Sequence, residues 1–327
     1  MSSNWKKTLL IAGAFTGLST ALKVYSQLRY HRSLSATLVE GALRLFVKDK
    51  RTGLQVKQDL AHKKMVGEKT YHIPEQMHFL VAITKTKFNN IDIYELNPER
   101  NSGTAILYLH GGAYAAHPTI QHWKMLNKLA QRTNARIIVP IYTVIPFATY
   151  HRAYQTLTAL YQLLKNDDRV KKIILMGDSA GGGMALGLAE SFAVKDLPQP
   201  DSLILLSPWV DITLSNPETK KLDTIDPILN RQALIANGQL WAGKTDRKDY
   251  HLSPLFGDVA PLKNVTIFVG TREEFYPDIL KLNKKLKKHG VVTNLFHGIG
   301  QNHIYPILPT WEARNAIQQM IAVIFSV

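Results

Sequence analysis

Ser179 stands among small residues in Gly177-Asp178-Ser179-Ala180-Gly181, a G-x-S-x-G spacing that suits a sharp strand-to-helix turn carrying a nucleophile. A side chain on such a turn stands clear of the flanking elements, and its neighbours must be small for strand and helix to approach. The apolar run Lys171 to Met176 precedes the turn and the helix-like stretch Met184 to Val194 follows it. The positive end of that helix would favour negative charge developing beside the serine. A second small-residue loop, His110-Gly111-Gly112-Ala113, follows the apolar run Ala105 to Leu109. Acyl transfer needs backbone N–H groups aimed at the tetrahedral oxyanion, and such a loop can supply them. Gly111, Gly112 and the Ala180 amide are therefore the candidate oxyanion donors. The competing reading of both loops is purely structural: Gly-rich turns that permit close packing.

The elements needed to position these loops are visible as a rhythm. Short apolar runs occur at Ile91 to Leu96, Ala105 to Leu109, Arg136 to Ile141, Lys172 to Met176, Ser202 to Leu206, Val265 to Val269 and Thr293 to Phe296. Helical patterns lie between them, as at Thr119 to Arg132, His151 to Leu164 and Tyr276 to His289. Alternating strands and helices predict parallel β-α-β units in a doubly wound α/β fold. Residues 32 to 65 read as helical and amphipathic, with Leu34, Leu38, Ala42, Leu45 and Phe46 recurring at helical spacing. Residues 211 to 250 lack a strong strand signal and read as a mostly helical insertion.

The ordered set of motifs resembles the hormone-sensitive-lipase-like branch of the α/β hydrolases. His110-Gly111-Gly112-Ala113 is similar to the oxyanion motif of that family and Gly177 to Gly182 to its elbow. Tyr142 to Pro146, Ser207-Pro208-Trp209-Val210-Asp211 and Ser253-Pro254-Leu255 resemble further family stretches, and the resemblance covers residues ~70 to 310. It implies an α/β-hydrolase fold, a mostly parallel sheet with a helical cap, and esterase or lipase chemistry without a cofactor. The cap would be built from residues 26–68 and the insertion 211–250, with the catalytic domain over 69–327.

In this architecture the acid and the histidine follow the serine in sequence. Val265 to Val269 reads as a strand ending in Gly270-Thr271-Arg272-Glu273, and an acid at the carboxyl end of a strand faces the ligand crevice. Glu273 is the candidate acid, with Glu274 and Asp278 as rivals. His303, in Gln301-Asn302-His303 after the last strand, is the candidate base, and His297 reads as a packed or surface imidazole. The expectation is a serine hydrolase of carboxylic esters, of short to medium acyl chain or lipid type, working through an acyl-enzyme. The alternative is a non-catalytic ligand-binding or receptor protein that keeps the pocket.

Composition bounds the remaining classes. The 327 residues are long enough for one large α/β domain, and cysteine is absent, which excludes disulfides and a thiol nucleophile. Lys plus Arg number 40 against 25 Asp plus Glu, a net charge of +15 that favours anionic partners. No zinc spacing or nucleic-acid module accompanies the charge, so nucleic acid is not expected. The run Lys281, Lys284, Lys285, Lys287 and Lys288 reads first as a solvated helix face, with attraction to an anionic membrane surface as the alternative. Lys6 and Lys7 precede an apolar stretch, Leu9 to Leu22, that is shorter than the roughly 20 residues of a comfortable bilayer span. Ile11, Phe15, Leu18, Leu22 and Tyr25 form one helical stripe. Residues 1–25 therefore read as a membrane-associating or signal-like segment, with secretion or a cytoplasmic location as alternatives. Gly238 to Thr245 spells the phosphate-loop pattern, but a helix over Asn230 to Trp241 would deny it the required strand-loop-helix context. His110, His117 and His122 lack metal-ligand spacing, and no metal is expected.

Overall fold

The computed structural model describes residues 19–47, 49–99 and 102–326. Most of the apolar stretch Leu9 to Leu22 thus lies outside the described residues. Eight strands form one sheet in the order β1-β2-β4-β3-β5-β6-β7-β8. These are β1 (Ile83–Phe88), β2 (Ile91–Leu96), β3 (Thr104–Leu109), β4 (Arg136–Pro140), β5 (Lys172–Asp178), β6 (Ser202–Leu206), β7 (Asn264–Gly270) and β8 (Val292–Gly298). Strands β3 to β8 run parallel, whereas β2 pairs antiparallel with both β1 and β4.

Parallel neighbours need crossover connections, and helices supply them. On one face, α5 (Tyr150–Lys165), α6 (Ser179–Val194) and α9 (Tyr276–Lys288) pack with Leu107, Leu175, Leu205 and Ile267. On the other, α4 (Ile120–Thr133) and α10 (Trp311–Ser326) cover Ile106, Ile174, Ile204 and Phe268. Successive strand residues thus enter opposite cores, which is why the central strands are apolar throughout. Helix α6 is buried nearly all round, as its uniformly small and apolar sequence requires.

Outside the sheet lie α1 (residues 19–30, as described), α2 (Leu34–Phe46), α3 (Gly53–Val66), α7 (Pro217–Lys220) and α8 (Arg231–Ala242). The amphipathic stretch read over 32 to 65 is two helices. The second starts at a capping box in which Thr52 and Gln55 satisfy each other's backbone N–H groups. In α2 the buried residues are Ala36 and Glu40, and the stripe Leu38, Ala42, Leu45, Phe46 faces outward. Glu40 determines this orientation, because its carboxylate accepts from Arg32, Arg44 and Arg272. Among the described residues no helix is long and apolar enough to cross a membrane.

Candidate active site

Ser179 sits where β5 passes into α6, with φ +51°, a left-handed value that costs a non-glycine residue energy. The chain tolerates the turn because Gly181 lies against the end of β3; a Cβ there would meet the Leu109 carbonyl oxygen at 2.1 Å. Ser179 Oγ lies 2.9 Å from His303 Nε2. On the far side of that ring, His303 Nδ1 is 3.5 Å from Glu273 Oε1. This is long for a hydrogen bond, and such catalytic contacts commonly tighten only around substrate. All three side chains are buried.

The two loops that carry the acid and the imidazole are laced together. Arg272 N–H donates to the Gln301 carbonyl, Thr271 N–H to that of Gly298, and Gly300 N–H to Thr271 Oγ1. Glu273 Oε2 accepts from Ser207 Oγ at 2.6 Å and from the Gly270 amide at 3.1 Å. The Ser207 hydroxyl in turn accepts from Ile304 N–H at 3.0 Å. One serine at the end of β6 therefore orients the carboxylate and holds the residue after His303. Burial alone pulls the His303 imidazole down in pKa, but the Glu273 carboxylate outweighs it and leaves the group above its ordinary value. Burial also raises Glu273, and the imidazole and Ser207 only partly offset this.

The rival acids are engaged elsewhere. Glu274 accepts from Arg231 at 2.6 Å and Asp278 from Asn216 at 2.7 Å. His297 stands beside the Tyr276 hydroxyl at the rim.

The glycine loop arrives at the same place from β3. Its Gly111 amide donates to Asp178 Oδ1 at 2.8 Å, so that N–H is already engaged. Among the described residues the Gly112 and Ala113 amides have no such partner, and Ala180 N–H lies in the first turn of α6. Gly112 adopts φ +120°, and a Cβ on it would strike the Ala116 carbonyl oxygen at 2.6 Å. Asp178 is the hub of this region. It also accepts from Tyr108 Oη at 2.5 Å and faces His122 Nε2 at 3.2 Å. Burial would raise its pKa, but His122, Tyr108 and the Gly111 amide together hold it below the usual carboxylate value.

His110 stacks on Tyr142 with ring centroids 4.2 Å apart, and Tyr142 Oη donates to the His110 carbonyl. Burial drives the His110 imidazole down to about 3, so it is neutral at physiological pH. His110, His117 and His122 hold no metal-competent cluster among the described residues. Phe275, Trp209, Tyr114 and Trp241 stack in series beside the site, and Phe275 meets His303 edge to face at 5.1 Å. The phosphate-loop lookalike does not form a loop at its start, because Gly238 is an interior residue of α8.

Three of these participants, Asp178, Ser207 and Phe275, were not singled out from sequence. Asp178 lies inside the elbow motif and Ser207 begins the Ser207-Pro208-Trp209 stretch, at the carboxyl end of a strand where crevice residues occur.

A family model described as alpha/beta hydrolase fold matches residues 106–307. A triacylglycerol lipase of Mycobacterium tuberculosis is 25% identical over 231 residues, covering 70% of this chain and 48% of that protein. This chain thus spans about half the length of that relative. An esterase of Acinetobacter venetianus is 29% identical over 231 residues, covering 68% of this chain and 75% of that one. The crystal structure of an esterase from the bacterial hormone-sensitive lipase family superposes with a TM-score of 0.74 at 23% identity, over 90% of this chain and 98% of that one.

Proposed function

Because this chain belongs to the α/β-hydrolase fold family, we propose that it is a carboxylic-ester hydrolase that forms an acyl-enzyme on Ser179. The observation that carries the reading is the 2.9 Å contact between Ser179 Oγ and His303 Nε2 at a strained elbow. Ser179 Oγ attacks the ester carbonyl carbon while His303 Nε2 takes its proton. Glu273 keeps the imidazole oriented and stabilises the imidazolium. The tetrahedral oxyanion accepts from Ala180 N–H and from the Gly112 and Ala113 amides, while Gly111 anchors the loop to Asp178. Collapse of the intermediate breaks the bond to the alcohol oxygen, which leaves with the proton held by His303. A water then attacks the acyl carbon, giving its proton to His303, and the acid departs with Ser179 restored.

In this reading α2, α3 and residues 211–250 form the cap over the crevice. The stacked aromatics Phe275, Trp209 and Tyr114 are buried, and Phe275 props the His303 ring edge to face. The N-terminal segment supplies membrane attachment.

Ser179→Ala tests the reading directly. Hydrolysis of p-nitrophenyl butyrate is expected to fall by at least ~10⁴-fold, with loss of labelling by a fluorophosphonate probe. A folded Ser179→Ala protein that retains turnover would refute it.

A further inference from the structure

We propose that α2, together with the described part of α1, is a docking face for an anionic lipid bilayer, entered by the outward stripe Leu38, Ala42, Leu45 and Phe46. A helix on a water-soluble surface turns its apolar stripe inward and its charges outward. Helix α2 does the reverse. Leu38, Leu45 and Phe46 are 60%, 76% and 85% exposed, whereas Glu40 is 5% exposed. The helix cannot roll to hide the stripe, because Glu40 is held by Arg32, Arg44 and Arg272 from three directions. Its start is fastened as well, with Ser33 N–H and Oγ donating to Glu312 and Trp311 N–H donating to Ser35 Oγ.

Helix α1 extends the same character. Leu22, Val24, Tyr25 and Leu28 are exposed, and Lys23 and Arg29 lie among them. The only acidic residue before Asp49 is Glu40, which is buried and paired. Among the described residues, the outward sides of α1 and α2 themselves are thus apolar with Lys23 and Arg29 as their charges, the composition of a helix lying in an anionic interface. That charge argues for lipid over a second copy of this chain, since two copies of net charge +15 would present like-signed faces to each other.

The inner side of the same helix is tied to the loops that carry Glu273 and His303. Arg272, held by Glu40, immediately precedes Glu273, and Arg32 donates to the Gly300 carbonyl in the loop that carries His303. Arg44 donates to the Thr224 and Ile225 carbonyls of the insertion. Docking by α2 therefore lays the cap on the bilayer, and the substrate class it fits is an ester resident in that bilayer. The substrate half of the inference rests on the ester-hydrolase reading; the docking half does not.

The test is vesicle flotation of the full chain with phosphatidylcholine vesicles, with and without phosphatidylglycerol. Wild-type protein is expected to float with the anionic vesicles. Leu45→Glu/Phe46→Glu, which removes no core contact, is expected to lower that affinity about 100-fold and leave p-nitrophenyl butyrate turnover unchanged. A Leu163→Glu/Val194→Glu control on exposed parts of α5 and α6 is expected to float like wild type. If the double variant loses soluble-ester turnover, Leu38→Glu must show the same loss of flotation on its own. Undiminished flotation of the stripe variants overturns the proposal and assigns all attachment to residues 1–25. A lipid-free dimer that the substitutions split, with flotation unaffected, overturns it in favour of a second copy. Failure of the ester-hydrolase reading shows separately, as an active Ser179→Ala protein that still floats.

Discussion

Asp178→Asn asks whether the oxyanion loop is held by a carboxylate and not only by shape. The Oδ1 atom accepts from Tyr108 Oη and the Gly111 amide, and Oδ2 faces His122 Nε2. His122 Nδ1 accepts from Thr119 N–H at 3.0 Å, which assigns the ring proton to Nε2 and makes it a donor. Three donors therefore converge on one buried side chain. Asparagine offers a single acceptor, so its amide NH2 must point at a donor whichever way it is placed. A hydrogen bond to a charged group is worth roughly 1.5–3 kcal/mol. The bonds share one carboxylate and are not additive, so a loss of about 3 kcal/mol of unfolding free energy is expected in all. If the Gly111-Gly112 loop then drifts, the oxyanion donors lose register, a defect worth ~10²-fold in kcat. Urea unfolding gives the first quantity and steady-state hydrolysis of p-nitrophenyl butyrate the second. The kinetic signature is a fall in kcat with KM little changed, because the affected bonds form in the transition state. A variant with wild-type kcat and a stability loss under about 0.5 kcal/mol would refute the reasoning and leave Asp178 as a spacer.

Two further outcomes follow from groups whose protonation is perturbed. His303 must be neutral to act as base, and Glu273 holds its pKa above the ordinary value against burial. The acid limb of kcat/KM is therefore expected above pH 6.5. In Glu273→Gln burial prevails, and the limb should move to lower pH as kcat falls; a limb that stays in place would remove Glu273 from contact with the base. Among the described residues both carboxylate oxygens of Glu190, buried in α6, have no hydrogen-bond partner, and burial raises its pKa well above the usual carboxylate value. The folded chain thus holds this proton more tightly than the unfolded chain, so its contribution to stability is complete below the ordinary value and is lost as pH rises through the raised one. Glu190→Met is expected to stabilise the protein by about 1–3 kcal/mol at pH 8 and by less at pH 5, as thermal unfolding at both values would show. A gain of equal size at both values would refute the titration argument.

The parts of this molecule legible in its sequence are those decided by near neighbours. Strands β3 to β7 are buried on both faces and spell themselves as apolar runs, and the elbow serine is marked by small residues within two positions. Strand β1 carries Thr84, Lys85, Thr86 and Lys87 on a largely exposed edge, so only its pairing with β2 makes it a strand. Nor is helix α10, which covers one face of the sheet, among the helices expected from the sequence. The outward turn of α2 is equally hidden in the local pattern. Its spacing is that of a core helix, and what reverses it is Glu40 meeting Arg272, 232 residues further along the chain. The same distinction runs through the site. Glu273, Glu274 and Asp278 are nearly equivalent as residue types in the few residues between β7 and the first turn of α9. What separates them is the serine that follows β6, an arginine on α8 and Asn216 at the start of α7, each reaching its carboxylate from a different part of the fold. A carboxylate is assigned by the donor that reaches it, and the donor's position is a property of topology. A single sequence can therefore name the set from which an acid is drawn, and the packing of distant elements chooses among its members.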